Sequence, residues 1–136
     1  MKKYFSAIFI SIVSISVFGQ AEKQQFAKGI IEYHDLFNTS MNKNAACYRI
    51  PAIATAPNGD LVAAIDERVQ NCKDLNANND INIVIRRSAD NGKTWSGIEK
   101  VVDFPLGKSA SDPSMIVDEL TKEIFLFYNF MDLDNE

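Results

Sequence analysis

Four side chains have the types that charge recognition and proton transfer use: Arg49, Arg68, Asp74 and Asp112. A guanidinium is planar, permanently charged and able to grip a carboxylate through two parallel hydrogen bonds. A carboxylic acid beside a departing oxygen supplies the proton that oxygen needs. Arg68 lies nineteen residues after Arg49, and Asp74 lies six after Arg68. Singly, each reads blandly. An arginine at a strand end is most often a surface charge, and Asp74, within Lys73-Asp74-Leu75-Asn76, reads as a solvated loop residue. His34 is the only histidine, so a metal site of several imidazoles is excluded and a Ser-His-Asp triad has to use it. Its place beside Asp35 reads as plain surface. Arg86-Arg87 reads as a solvated strand edge, and Tyr48, Phe125 and Tyr128 as core or strand-face aromatics. The carboxylates of Asp132-Leu133-Asp134-Asn135-Glu136 lack the glycine and the length of a calcium loop. No glycine loop for phosphate and no cofactor motif occurs, so neither a metal nor a cofactor is expected.

The elements around these residues read as strands. Ile50 to Ala56 is followed by Pro57-Asn58-Gly59-Asp60, a turn cluster in which Gly59 is free to take positive φ, and Leu61 to Ile65 forms the return strand. A polar loop carries Arg68, Cys72 and Asp74. Ile81, Ile83 and Ile85 then alternate with Asn82, Val84 and Arg86, the period of a half-buried strand. In Ser88-x-Asp90-x-Gly92-x-Thr94-Trp95 the Ser and Asp side chains have the reach to bond turn backbone, and Trp95 has the bulk to fill the space beneath. A fourth strand follows at Ile98 to Val102. Four antiparallel strands in this span predict one propeller-like blade. A second unit starts with Ser114 to Val117, a turn at Glu119 to Lys122, and Ile124 to Met131. No segment of helical period occurs after the first 21 residues, which predicts an all-β fold.

The chain opens with Lys2 and Lys3, an almost uncharged run from Tyr4 to Phe18, and Gly19-Gln20-Ala21. That is the pattern of a secretory signal peptide, its apolar run shorter than the roughly 20 residues that span a bilayer. Residues 1–21 are therefore expected to be removed, with the mature protein secreted, periplasmic or held at the cell surface and not inserted in a membrane. Losing Lys2 and Lys3 takes the basic residues from 14 to 12 against 18 acidic ones, and the net charge from −4 to −6. Such a chain does not seek nucleic acid or an anionic membrane surface. Residues 22–47 are expected to hold a polar lead, a short strand at Gly29 to His34 and a loop, and residues 48–136 the propeller. Asn38-Thr39-Ser40 is formally a glycosylation acceptor, read as chance.

The motifs also carry a resemblance. Ser88-x-Asp90-x-Gly92-x-Thr94-Trp95 matches the Asp-box of sialidases, which recurs in other propeller families and speaks for fold more than for function. Tyr48-Arg49-Ile50-Pro51 resembles the arginine-isoleucine-proline motif that opens the catalytic domain of exo-sialidases. The resemblance makes Arg49 the first of three arginines that clamp the sialic acid carboxylate, Arg68 a further substrate-binding arginine, Asp74 the acid/base, and Asp112, before Pro113, a residue near the sugar's O4. It runs from Gly29 to about Met131, nearly the whole mature chain. It implies retaining hydrolysis of terminal sialic acid from glycoproteins, glycolipids or oligosaccharides, with a tyrosine nucleophile because an anionic one is repelled by the substrate's own charge. A pocket shared by Arg49 and Asp74 brings Cys47 and Cys72, each two residues before one of them, close enough for a disulfide; the alternative is two separate thiols.

The family's other two arginines, its tyrosine and the glutamate that activates it come from later blades. The expectation is therefore an N-terminal piece of a six-bladed propeller, namely a first four-stranded blade, the start of the second and a closing N-terminal strand, inactive alone and unstable as a monomer. Two other readings stay open: a non-catalytic sialic-acid-binding propeller that keeps Arg49, and a structural Asp-box protein.

Overall fold

The computed structural model describes residues 33–133. The signal-peptide reading and most of the Gly29 to His34 strand fall outside these residues; Tyr33 and His34 themselves are not in a strand. Six strands are described: β1 (Cys47–Thr55), β2 (Leu61–Arg68), β3 (Ile81–Ser88), β4 (Glu99–Val102), β5 (Lys108–Asp118) and β6 (Glu123–Asp132). The first four make one antiparallel sheet in the order β1-β2-β3-β4, and the last two make a second. The only helix among the described residues is a single 3-10 turn at Leu75–Ala77.

The β1–β2 hairpin closes where the turn chemistry says it should. Gly59 sits at φ +90°, and its N–H bonds the carbonyl of Ala56. At the far end of β2 the chain leaves through the loop that holds Cys72 and Asp74, and β3 returns in full register from Arg68↔Ile81 to Leu61↔Ser88. The Ser88 to Trp95 turn therefore lies at the opposite end of the sheet from Arg68.

Period two sorts β2 into two faces. Val62, Ala64, Asp66 and Arg68 share one, and Ala63, Ile65 and Glu67 the other; Val62 through Arg68 are all buried. Val62 and Ala64 join Ile83, Ile85 and Ala110 in the core, with Met115, Ile124, Leu126 and Phe104 packed against them from the second half of the chain. Burying a branched side chain of this size contributes roughly 1.5–3 kcal/mol. On the same stripe the core gives way to Asp66 and Arg68, and this is how the strand delivers charge to one end of the sheet.

The half-buried alternation expected of β3 is not what forms: Ile81 to Ile85 are all buried. The reason is cover on both faces. One side meets the core just described, and on the other the 37–48 segment packs close, with Asn42 and Tyr48 bonding Glu67. Burial, with the Glu67 carboxylate beside it, pushes the Tyr48 hydroxyl up to about 12. Arg86 is likewise no solvated edge. Its Nε and Nη2 donate to the carbonyls of Ser96 and Trp95, and its Nη1 to that of Leu36, at 2.6, 3.2 and 2.6 Å, tying three chain segments together. Arg87 is exposed, as expected.

β5 begins at Lys108, six residues before the predicted start, and β4 at Glu99. Lys108-Ser109-Ala110-Ser111 has little apolar signal, yet all but Lys108 are buried. Ser109 explains the extension: its hydroxyl accepts from the Ile81 N–H and donates to the Asn78 carbonyl. On the outer face Ile116, Phe125 and Phe127 stay exposed; Tyr128 and Phe130, on the face of Ile124 and Leu126, are part-exposed and pack against Phe104.

Candidate active site

Two irregularities in otherwise regular strands shape the site. In β1 the register slips between Arg49 and Ala52, and Ile50 stands at φ 57°. In β5 it slips between Ser111 and Ser114, and Asp112 stands at φ 59°. A left-handed residue is unusual for Asp and costly for a β-branched Ile, and bulges re-aim the side chains beside them. Both distortions border the same cleft of about 510 Å³, lined by Arg49, Ile50, Asp74, Leu75, Asn76, Ser111, Asp112 and Met131.

Asp74 immediately precedes the 3-10 turn and is the focus of the charges. Its Oδ1 accepts from Arg68 Nη1 at 2.8 Å and from Arg49 Nη1 at 3.3 Å. The Arg68 hydrogen bond first, and then the Arg49 charge, hold the Asp74 carboxyl below the usual carboxylate range. Arg49 and Asp74 are open to the cleft, with side chains 43% and 70% exposed. Arg49 also donates to the Cys72 carbonyl at 3.0 Å, and Cys47 and Cys72 are joined by a disulfide with Cα atoms 5.7 Å apart. The bridge ties the loop to β1 beside Arg49.

Arg68 is placed differently from what the resemblance implies. Its side chain is fully buried and does not line the cleft. Nη1 serves the Cys72 and Lys73 carbonyls as well as Asp74, and Nη2 serves Asp66. In this arrangement it holds the loop and offers no donor to a ligand in the cleft. Asp112 does line the cleft; Asn129 donates to its Oδ2 at 2.9 Å. Asp66, which sequence reasoning passed over, is wholly buried and takes Arg68 Nη2 at 3.0 Å, Ser111 Oγ at 2.6 Å and the Asp112 N–H at 2.9 Å. A period-two count from Val62 would have put it on the core face, an odd place for a carboxylate without a partner.

The Ser88 to Trp95 turn is built as its residue types suggest, and away from the cleft. Ser88 Oγ donates to Asp90 Oδ1 and accepts from the Gly92 N–H, each at 2.8 Å. Asp90 accepts from the Thr94 N–H and hydroxyl, and Trp95 Nε1 donates to the Gly92 carbonyl. Gly92, at φ +86°, follows Asn91 at φ 58°. No group of three or more potential metal ligands occurs among the described residues.

A four-stranded antiparallel blade and the first hairpin of another, with a cleft of arginine and carboxylates at one sheet end, make up part of a β-propeller. Relatives fix which kind. The chain is 42% identical over 86 residues to a sialidase of Micromonospora viridifaciens, covering 60% of this chain and 12% of that protein. It is 33% identical over 127 residues to the anhydrosialidase of Macrobdella decora, covering 77% and 16% respectively. The solved leech intramolecular trans-sialidase, in complex with 2,7-anhydro-Neu5Ac, superposes with a TM-score of 0.66 at 28% identity, over 77% of this chain and 18% of that one. No family model matches the sequence. The chain belongs with the sialidases in sequence and in fold, and spans under a fifth of the length of these relatives.

Proposed function

We propose that the protein carrying this chain is an exo-α-sialidase that releases terminal sialic acid from sialylated glycans outside the cytoplasm, and that this chain supplies one side of its active site. The observation that carries the reading is the exposed Arg49 guanidinium set against the exposed Asp74 carboxylate at the mouth of one cleft. Arg49 takes the substrate carboxylate, Asp74 is the acid/base, and Asp112 faces the hydroxyl end of the sugar. The Ser88 to Trp95 turn is an Asp-box, a folding element. Residues 1–21 act as the export signal, 22–47 lead into the fold, and 48–136 belong to the propeller.

The proton inventory fits. Two cations hold Asp74 ionised. A substrate carboxylate that engages Arg49 neutralises one of them, which raises the affinity of Asp74 for a proton at the moment it is needed. Asp74 then gives its proton to the glycosidic oxygen as the bond to the anomeric carbon breaks, and takes one back from water when the sugar is released. In sialidases the anomeric carbon is attacked by a tyrosine; no tyrosine lines this cleft. The test is sialic acid release from a sialoside by the longest protein that carries this sequence, with Arg49→Ala as comparison. Turnover lost chiefly through KM supports the clamp, and equal turnover in both proteins rejects it.

A further inference from the structure

The residue that sets the geometry of this cleft lies beneath it. Asp66 has no exposed surface, and its neighbours account for both carboxylate oxygens. Oδ2 accepts from Arg68 Nη2 at 3.0 Å and Ser111 Oγ at 2.6 Å, and Oδ1 accepts from the Asp112 N–H at 2.9 Å. Arg68 comes from the first sheet and Ser111 and Asp112 from the second. Asp112 is also the left-handed residue of the β5 bulge, a conformation that persists only where its surroundings impose it. We propose that Asp66 is the positioning residue of the site: one buried carboxylate shares Arg68 with Asp74 on one wall, tempering the hold of the guanidinium on Asp74, and pins the bulge that presents Asp112 on the other. Its part in catalysis rests on the reading of Asp74 as the acid/base; its structural part does not.

The arrangement predicts a coupling. Arg68 divides its donors between Asp66 and Asp74. Without the Asp66 charge, Arg68 has one carboxylate partner left and holds Asp74 more firmly as an anion. The other charges in range are Arg49, opposite Asp66 in the β1–β2 register, and Asp112 on the facing strand; β3 places uncharged Ile83 opposite Asp66. Burial raises the Asp66 carboxyl, and the Ser111, Arg68 and Asp112 donors work against that rise.

The test uses the longest protein that carries this sequence, with aspartate carboxyls isotopically labelled for NMR titration and hydrogen exchange read at the Asp112 amide. In Asp66→Asn the Asp74 midpoint should fall by about half to one pH unit, and Asp112 exchange should rise about tenfold or more as the bulge loosens. On sialosides with a poor leaving group the alkaline limb of kcat should move down with the Asp74 midpoint, while a substrate with a good leaving group is spared. Ser111→Ala is a milder change that keeps the Asp66 charge. It should quicken Asp112 exchange and leave the Asp74 midpoint nearly in place, and it serves if Asp66→Asn does not fold. Wild-type exchange at Asp112 in Ser111→Ala, or an unmoved Asp74 midpoint in folded Asp66→Asn, overturns the proposal. Neither readout needs turnover, so an unaltered protein that cleaves no sialoside refutes the proposed function and leaves the Asp66 question to these two measurements.

Discussion

Arg68 Nη1 lies 2.8 Å from Asp74 Oδ1, and the guanidinium is fully buried while the carboxylate is 70% exposed. A fixed cation thus holds a group that faces solvent and ligand. With Arg49 at 3.3 Å on the same oxygen, Asp74 has two positive partners of different availability. Arg68 is committed to the protein, and Arg49 can exchange Asp74 for a ligand.

That difference predicts ligand-linked protonation. Binding of a carboxylate sugar at Arg49 should raise the Asp74 titration midpoint, since it removes one of the two charges that depress it. The free protein should therefore show Asp74 ionised to lower pH than the complex does. NMR titration with and without free sialic acid checks this. A midpoint that stays fixed or falls on binding contradicts it.

Asp74→Ala should lose about 10²–10⁴ in kcat on natural sialosides, the usual worth of general acid–base catalysis. A substrate whose leaving group needs no proton should lose far less. Equal losses on both would mean that Asp74 acts in some other way.

Arg68→Met should destabilise the fold by about 3–5 kcal/mol, because it strands the buried Asp66 without its cation. Pairing it with Asp66→Leu should recover much of that loss, as replacement of a whole buried ion pair by apolar groups often does. Urea unfolding of the two variants separates these cases, and a single variant as stable as wild type would contradict the burial argument.

Much of this was legible from residue types and spacing, and the failures have physical causes. The hairpins were marked by Gly59 and Gly92, whose positive φ the turns use. Arg49, Asp74 and Asp112 were picked out by a family resemblance and line one cleft. The resemblance made Arg68 a substrate-binding residue; sequence gives no depth, and the structure places it beneath the cleft with its Nη donors on Asp66, Asp74 and the loop carbonyls. Arg86 looked like a solvated edge because its carbonyl partners lie outside its strand, two at the end of the next turn and one fifty residues away. The start of β5 was missed because serines and a lysine carry no apolar period, and here Ser109 and Ser111 are anchored instead by hydrogen bonds with Ile81 and Asp66 of the first sheet.

The Cys47–Cys72 disulfide closes a separation of 25 residues, so its loss should cost about 3 kcal/mol in the chain-entropy model. Because it anchors the Asp74 loop to β1, the Cys47→Ser/Cys72→Ser double variant should lose activity at temperatures where it is still folded. Mass spectrometry of the non-reduced protein should find no free thiol.

Acid stability should depend on Asp90, whose carboxyl the Thr94 hydroxyl and N–H bring down to about 2. A depressed carboxyl adds stability that is fully present above its ordinary value of 3.8 and is lost as pH falls towards 2. Asp90→Asn should therefore melt below wild type at neutral pH, and the gap should close across that acid window. A gap that persists at pH 2 would show that the turn does not rely on the charge.

Arg49 and Asp74 should together form one side of a sialidase active site. The most direct measurement follows a sialoside by NMR in the presence of the longest protein that carries this sequence, unaltered and as Arg49→Ala. The unaltered protein should release sialic acid with the α-anomer appearing first, as retention requires, and Arg49→Ala should do so only at much higher substrate concentration. No release from any sialoside by the folded, unaltered protein, or release that Arg49→Ala leaves unchanged, would contradict it.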